Sequence, residues 1–204
     1  MRISKAVSYV FHPLLMLSYL FLVFMLFVPR IVEPLPSEKF WYVFLLVFIS
    51  TFFLPLMSIF MLKANRFISS FEMSHRRQRI IPFTFITVFY AISSYFFLYR
   101  LHVNQTLSTI LTATTLLILF ITLITIFYQI SVHSAAAMGV FGYMLGLYQK
   151  FFYLELFYPM ISVLLISGII MSARLKLNTH TPLEVYSGAV SGLFFGYFSI
   201  FWFA

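Results

Sequence analysis

The run PLLMLSYLFLVFMLFV, from Pro13 to Val28, contains sixteen residues and no charge. A run of this kind approaches the ~20 apolar residues that a membrane-spanning helix needs. No small-residue cleavage site interrupts it, so we expect a retained helix and not a secretory signal. The whole chain has the same character, with 62% hydrophobic residues, a mean hydropathy of +1.01 and 28 Phe among 204 residues. A soluble domain of this length cannot bury that much apolar surface, and the composition therefore predicts an integral membrane protein.

This run and the other apolar runs of the chain are bounded by polar breaks, and each of them predicts a helix. These runs lie near 7–29, 40–62, 81–100, 107–129, 133–149, 156–172 and 183–203. We predict an all-α fold, a polytopic membrane helix bundle in which residues 1–204 form a single domain. Seven transmembrane helices are expected, and six with one re-entrant segment is the alternative. Pro55 and Pro159 fall in or near spans and are expected to kink them.

Charged residues are few, and most of them are basic. Thirteen Lys and Arg against five Asp and Glu give a formal net charge of +8. This excess is typical of juxtamembrane anchoring on anionic lipid, and it also suits a site for a phosphorylated substrate. The cations are not gathered on a soluble module, so we expect no nucleic acid partner. Cysteine is absent, which excludes disulfide bonds and thiolate metal sites.

Polar residues that carry chemistry are concentrated in three short stretches. They are SHRRQRIIPF (74–83), YQISVHSAAAMG (128–139) and SARLKLNTHTPLE (172–184). Alternating the loops across seven spans places all three stretches on the same side of the membrane as the N-terminus. One shared site is therefore allowed by the topology.

Each stretch also has an ordinary structural interpretation. Thr181, Pro182 and Glu184 fit the N-cap, N1 and N3 positions of a capping box, and this stretch alone favours capping over catalysis. The two roles are compatible, because a carboxylate at N3 also reaches a residue just before the cap. His133 by itself is more typical of a structural histidine, although helix N-terminal amides there suit a phosphate oxygen. The basic cluster fits lipid anchoring on its own, and bidentate phosphate recognition if it lies beside Arg174.

Two predicted helices carry stripes of small residues. The stripes are Ala135, Gly139, Gly142 and Gly146 in one helix, and Gly188, Gly192 and Gly196 in the other. Small residues allow helix backbones to approach closely in lipid, where packing drives association. His133 begins one helix and His180 precedes the other. If the two stripes face one another, their packing brings the two imidazoles together.

The order of these residues resembles that of the type 2 phosphatidic acid phosphatase superfamily, which consists of integral membrane lipid phosphatases. An Arg cluster with a nearby Pro, then Ser-x-His, then Arg-x5-His-x3-acid follow one another between Arg76 and Gly188, over half the chain. The third motif is moderately specific, the second is degenerate and the first is loose. The resemblance implies hydrolysis of a lipid phosphomonoester or a prenyl diphosphate, with no metal and no organic cofactor. We expect a multi-pass protein of a bacterial inner (plasma) membrane whose substrate is a membrane lipid; its oligomeric state is left open.

The resemblance also implies a role for each matching residue. His180 matches the nucleophile that becomes a phosphohistidine, and Glu184 matches the acid that orients its imidazole. His133 matches the general acid that protonates the departing alkoxide. The implied phosphate-binding residues are Arg174, Arg79 (with Arg77 and Arg76 as alternates) and Ser131.

Three positions depart from the family pattern. Ile130-Ser131-Val132-His133 stands where the family has Pro-Ser-Gly-His, no Lys lies six residues before an Arg-Pro pair, and Glu184 replaces Asp. These departures favour an alternative, a non-catalytic lipid-binding or scaffold protein that keeps the fold. A small transporter is a weaker alternative, because the ionisable residues cluster at one interface and not at the midplane. The side of the membrane that the site faces is left open, since the basic excess on that side nearly vanishes without the phosphate-binding arginines.

Overall fold

The fold consists of α-helices joined by short connections, in a computed structural model that describes residues 1–32, 37–69, 76–101 and 103–204. The helices are α1 (Arg2–Val10), α2 (Met16–Phe27), α3 (Phe40–Phe48), α4 (Leu54–Ala64), α5 (Arg77–Tyr99), α6 (Gln105–Thr125), α7 (Val132–Phe151), α8 (Phe157–Lys176) and α9 (Pro182–Phe203). No β-strand occurs within these ranges. Six segments are long and apolar enough to cross a membrane: Arg2–Phe27, Phe40–Ala64, Arg77–Tyr99, Gln105–Thr125, Leu154–Lys176 and Pro182–Phe203. The protein is therefore an all-α, multi-pass membrane helix bundle, as predicted.

Helix α7 differs from the other long helices. It was predicted as a span over 133–149, and it forms one continuous helix of 20 residues. Its composition is less apolar than that of the six segments that could cross a membrane. His133, Gln149 and Lys150 lower its hydropathy, and half of its residues are buried against α2, α6, α8 and α9. At 1.5 Å per residue its length is ~30 Å, which equals the hydrocarbon thickness of a bilayer. Helix α7 is thus the inner helix of the bundle. It is continuous and long enough to be the seventh span, and no re-entrant break occurs in it.

The first predicted span, 7–29, is not continuous. Helix α1 ends at Val10 and α2 begins at Met16, with His12 and Pro13 between them. The Nδ1 atom of His12 accepts a hydrogen bond from the Leu14 amide at 3.3 Å, so His12 acts as the N-cap of the short turn that leads into α2. Helix α1 packs against α8, and this packing places its serines near the polar end of the bundle.

The two prolines predicted to kink their spans behave differently. Before Pro55 the helix widens into a π-helical turn over Ile49–Phe53. Pro55 has no amide hydrogen for the Thr51 carbonyl, and the Tyr90 hydroxyl donates to that carbonyl instead at 3.0 Å. Pro159 is the third residue of α8, where a backbone N–H has no intrahelical partner to lose. The usual cause of a proline kink, a lost backbone hydrogen bond, is therefore absent at Pro159, and the kink itself stays a prediction.

Helices α7 and α9 form the closest pair, and their small-residue stripes face one another as predicted. A Cβ atom added at Gly192 would lie 2.0 Å from the Ala135 carbonyl oxygen, and one added at Gly196 would lie 2.4 Å from that of Gly139. Real Cβ contacts essentially never fall below 3.0 Å. Only glycine at these positions permits this backbone approach.

The α7–α9 pair is also joined at both ends. At one end the Ser131 amide donates to the Glu184 carbonyl at 3.0 Å. At the other end the Lys150 ammonium donates to the carbonyls of Ile200, Phe201 and Ala204 at 3.2, 2.9 and 2.8 Å. These carbonyls lie in the last turn and the C-cap of α9, and that of Ile200 also accepts from the Ala204 amide at 3.4 Å. A cation is well placed at this end of a helix. The packing and the two joints fix the N-terminus of α9 beside the N-terminus of α7.

Candidate active site

The N-terminus of α9 carries the capping box predicted from sequence. The Thr181 hydroxyl accepts from the Glu184 amide at 3.4 Å, and Glu184 Oε2 accepts from the Thr181 amide at 3.1 Å. The same Oε2 atom lies 2.9 Å from His180 Nδ1. One carboxylate oxygen therefore caps the helix and holds the imidazole, so the two roles weighed for Glu184 coexist.

The contact with Glu184 also sets the tautomer of His180. A carboxylate only accepts hydrogen bonds, so Nδ1 carries the proton and Nε2 of the neutral ring keeps its lone pair. The His180 side chain is 2% exposed. Burial lowers the pKa of His180 to about 4, against the opposing hydrogen bond to Glu184 and together with the guanidinium groups of Arg79 and Arg174. His180 is thus a neutral imidazole at pH 7.

His133 is the second residue of α7. It lies two residues after Ser131, whose amide donates to the Glu184 carbonyl of α9. Its ring is within electrostatic reach of His180 and Arg174. His133 Nε2 donates to the Ser8 carbonyl of α1 at 3.2 Å, since a carbonyl oxygen can only accept. The juxtaposition of the two imidazoles follows from the packing of the glycine stripes.

Arg174, in the last turn of α8, reaches the same serine. Its Nη1 atom donates to the Ser8 hydroxyl at 3.3 Å, and that hydroxyl donates to the Ser4 carbonyl at 3.0 Å. Ser8 therefore gives one oxygen to Arg174 and another to His133. A phosphate held by both side chains would offer its oxygens at about the positions that Ser8 now fills.

Arg79 brings the second guanidinium to the cluster. It lies in the first turns of α5 and is 7% exposed. With its amide oriented so that the oxygen faces the guanidinium, Gln129 accepts from Nη1 and Nη2 of Arg79 at 3.2 and 2.9 Å. Arg79 lies within electrostatic reach of Arg174, His180 and Glu184. Two like charges therefore lie close together here, and the Glu184 carboxylate is one of the groups near Arg79.

Three predicted site residues do not join this group in the same way. Arg76 is exposed and donates to the Phe127 carbonyl at the end of α6, and Arg77 is exposed at the first residue of α5. Ser131 is fully buried, and its hydroxyl caps α7 by accepting from the Ser134 amide at 3.5 Å. The same hydroxyl also accepts from the Ser134 hydroxyl at 2.9 Å. These contacts favour structural roles, and phosphate binding by the three residues stays a prediction. His75, grouped with the arginines above, lies outside the described residues.

Sequence reasoning missed Ser8, His12 and Gln129. The His12 and His133 rings meet edge to face with centroids 6.0 Å apart, so a third imidazole stands beside the cluster. A His-Pro pair at the start of an apolar run was a visible signal for His12, because that pair breaks a helix and leaves a polar side chain at the break. Ser8 and Gln129 are ordinary polar residues in sequence, and only the tertiary contacts reveal them.

The chemical capacity of the cluster follows from its composition. It combines a neutral imidazole with a free lone pair, a second imidazole, a carboxylate and two guanidinium groups. Within the described residues, no group of three or more His, Cys, Asp or Glu is placed to hold a metal ion. Guanidinium groups bind phosphate oxygens in bidentate fashion, and a neutral imidazole is a competent nucleophile.

The chain was compared with protein-family models, with curated proteins and with solved structures. None of the three comparisons gives a significant match.

Proposed function

We propose that this protein is a membrane phosphatase that removes phosphate from a lipid phosphomonoester or a prenyl diphosphate through a phosphohistidine. The observation that carries the proposal is the convergence of Arg79 and Arg174 on the neutral, carboxylate-bound imidazole of His180. Guanidinium groups match the geometry of phosphate oxygens, and two of them beside one imidazole would hold a phosphate and offset its charge. The likeness to the type 2 phosphatidic acid phosphatases, based on three motifs in order, supports the same chemistry.

The reaction proceeds in two balanced steps. His180 Nε2 attacks phosphorus, the bond from phosphorus to the lipid oxygen breaks, and His133 supplies the proton that the departing alkoxide needs. Water then attacks the phosphohistidine, His133 takes a proton from that water, and inorganic phosphate leaves His180. The net change is hydrolysis of one P–O bond. Arg79 and Arg174 balance the charge that spreads over the phosphoryl oxygens in each transition state.

The Ser8 contacts imply an exchange on substrate binding. In this structure the Ser8 oxygens occupy Arg174 Nη1 and His133 Nε2. The substrate must replace them, so the polar end of α1 has to move or yield its hydrogen bonds. The negative charge of the bound phosphate favours the imidazolium form of His133. The imidazolium then transfers its Nε2 proton to the leaving oxygen and returns to the neutral ring.

Trapping the intermediate tests the proposal. Purified protein in lipid nanodiscs is mixed with radiolabelled phosphatidic acid, phosphatidylglycerol phosphate or prenyl diphosphate, quenched within one turnover, and digested. We expect an acid-labile, base-stable label on the peptide that contains His180, and vanadate should prevent its formation. Phosphate release without any labelled histidine would contradict the phosphohistidine mechanism, and no release from any of these substrates would contradict the enzyme proposal.

The pH dependence provides a separate prediction. Because the pKa of His180 is lowered to about 4, the nucleophile is neutral from about pH 5 upward. As pH falls through 4 the ring gains a proton at Nε2 and loses its lone pair, so kcat/KM should fall there and not near the ordinary value of about 6.5.

The phosphate of the substrate also titrates, with a second pKa of about 6. The variant Glu184→Gln separates the two ionisations, because it removes the carboxylate that favours the imidazolium form and leaves the substrate unchanged. We expect the fall in kcat/KM that is due to His180 to move to lower pH in this variant. The fall that is due to the phosphate of the substrate should stay in place. A limb that begins near pH 6.5 and moves in Glu184→Gln would show that His180 is not desolvated.

One observation favours the second candidate, a non-catalytic lipid-binding protein. Ser8 already accepts hydrogen bonds from His133 Nε2 and Arg174 Nη1 without any ligand, and the second motif lacks its usual Gly. In that case the cluster would bind a phosphate-bearing lipid and leave it intact. Vanadate discriminates between the candidates, because it takes the geometry of the phosphoryl transition state and binds tightly only where a nucleophile is aligned.

A further inference from the structure

An apolar groove lies within the bundle, on the side of the polar cluster. It lies between α2, α5, α6 and α7 and contains about 630 Å³ of empty space, its open mouth included. Pro13 and Val132 line its upper end and directly follow or precede the two neighbouring imidazoles, His12 and His133. The upper end of the groove is therefore built from chain neighbours of two imidazoles of the polar end.

The lining residues appear in the same depth order on each helix. On α5 they run from Phe83 to Tyr90, away from Arg79, and on α7 they run from Val132 to Tyr143, away from His133. Eleven residues of α7 correspond to a depth of ~16 Å at 1.5 Å per residue. One leaflet of a ~30 Å hydrocarbon core is about as deep.

The floor of the groove is closed by two tyrosines whose hydroxyls are already occupied. The Tyr143 hydroxyl lies 2.8 Å from the Thr114 hydroxyl and donates to the Ile110 carbonyl at 3.3 Å. The Tyr90 hydroxyl donates to Thr51, as described above. These residues present ring surface and few open hydrogen-bonding groups to the groove, which suits hydrocarbon and not water.

We propose that this groove holds one hydrocarbon chain of the phosphate-bearing ligand, and that Tyr90, Thr114 and Tyr143 set an upper limit on the chain length. The inference rests on the proposed function for its headgroup site. It adds a substrate class, namely lipid phosphates that bind only if one chain, counted from the headgroup, fits the length of the groove. The other chains of a larger lipid remain in the bilayer. Chains longer than the groove must bend back out or leave the phosphate short of Arg174.

Binding of single-chain alkyl phosphonates tests the proposal without any need for catalysis. These compounds carry a phosphate-like headgroup that cannot be hydrolysed, and a series of chain lengths is added to the protein in phosphatidylcholine nanodiscs while the melting temperature is measured. A ligand that binds only the folded state raises that temperature in proportion to its affinity. We expect the shift to grow with chain length and to level off or fall beyond a limiting length.

Substitutions at two depths should move that limit. Ala136 and Val140 line the groove one and two turns below Val132, so Ala136→Leu should shorten the limiting length more than Val140→Phe does. The matched control is Val190→Phe on α9, where the side chain is 67% exposed on the outer surface and the limit should stay at the wild-type length. An unchanged limit in both groove variants, or an equal change in the control, would overturn the proposal.

Phosphate release from the matching alkyl phosphates, measured in parallel, keeps the two proposals apart. Release with no dependence on the groove variants would overturn the chain-binding site and leave the phosphatase intact. A limit that moves with Ala136→Leu and Val140→Phe, without any release, would support the chain-binding site and count against the phosphatase.

Discussion

The variant His180→Ala is expected to release phosphate on the order of 10⁴- to 10⁶-fold more slowly than the wild type. Loss of a nucleophile that forms a covalent intermediate has effects of this size in other hydrolases. The fold should survive, because Glu184 Oε2 still caps α9 through the Thr181 amide at 3.1 Å. The measurement is phosphate release in nanodiscs at saturating lipid, with the melting temperature recorded for each variant.

Two further observations separate a nucleophile from a structural histidine. His180→Gln keeps a donor for Glu184 but cannot carry a phosphoryl group that water later removes, so it should be as inactive as His180→Ala. Added imidazole should partly restore turnover in His180→Ala, because it can enter the vacated space and attack phosphorus. An active His180→Gln protein would assign His180 a structural role only.

Local signals were sufficient for much of the fold. Short segments of sequence were enough to predict the capping box at Thr181 and Glu184, the apolar helices and the glycine stripes. The structure confirms these features. Asn104 is another local cap, and its side chain accepts from the Thr106 amide at 2.8 Å. The physical reason is that capping and helix periodicity depend on neighbours three or four residues away.

Helix boundaries near polar residues were harder to predict. The predicted third helix begins at residue 81, whereas α5 begins at Arg77 and includes Arg79 as well as Pro82. The polar composition of the segment suggested a loop, but tertiary contacts hold it: Gln129 accepts from Arg79, and the Ser69 hydroxyl donates to Gln78. Packing of this kind overrides local preference, and no short window of sequence records it.

The same reasoning explains which site residues were found. His180, Glu184 and Arg174 lie within eleven residues, so their spacing could be recognised, and the helix pairing then brings His133 to them. Ser8 lies 166 residues from Arg174 along the chain, and its contact depends on how α1 turns at His12 and Pro13. That turn lies inside the run 7–29, which was predicted as one continuous helix.

The largest effect on the fold is expected at Gly192. Even Gly192→Ala places a Cβ atom 2.0 Å from the Ala135 carbonyl, so α7 and α9 must separate by about 1 Å to restore the 3.0 Å minimum. Overpacking of this kind typically costs 1–3 kcal/mol, and a ~1 Å displacement of catalytic groups can cost about 10²-fold in rate. We expect a lower melting temperature together with a loss of phosphate release or of phosphonate binding, because the same two helices hold His133 and His180.

A graded series tests whether the contact distances govern the result. Gly139→Ala places its new atom 3.6 Å from the nearest neighbour, an ordinary contact, so its effect should be small; Gly196→Ala, at 2.4 Å, should approach Gly192→Ala. Gly168→Ala on α8 is the matched control, because nothing lies within 4 Å of its Cβ and Ala favours a helix by up to about 1 kcal/mol over Gly. If Gly192→Ala melts at the same temperature as Gly168→Ala, the two helices are not in the contact described here, and the site that depends on that contact loses its structural basis.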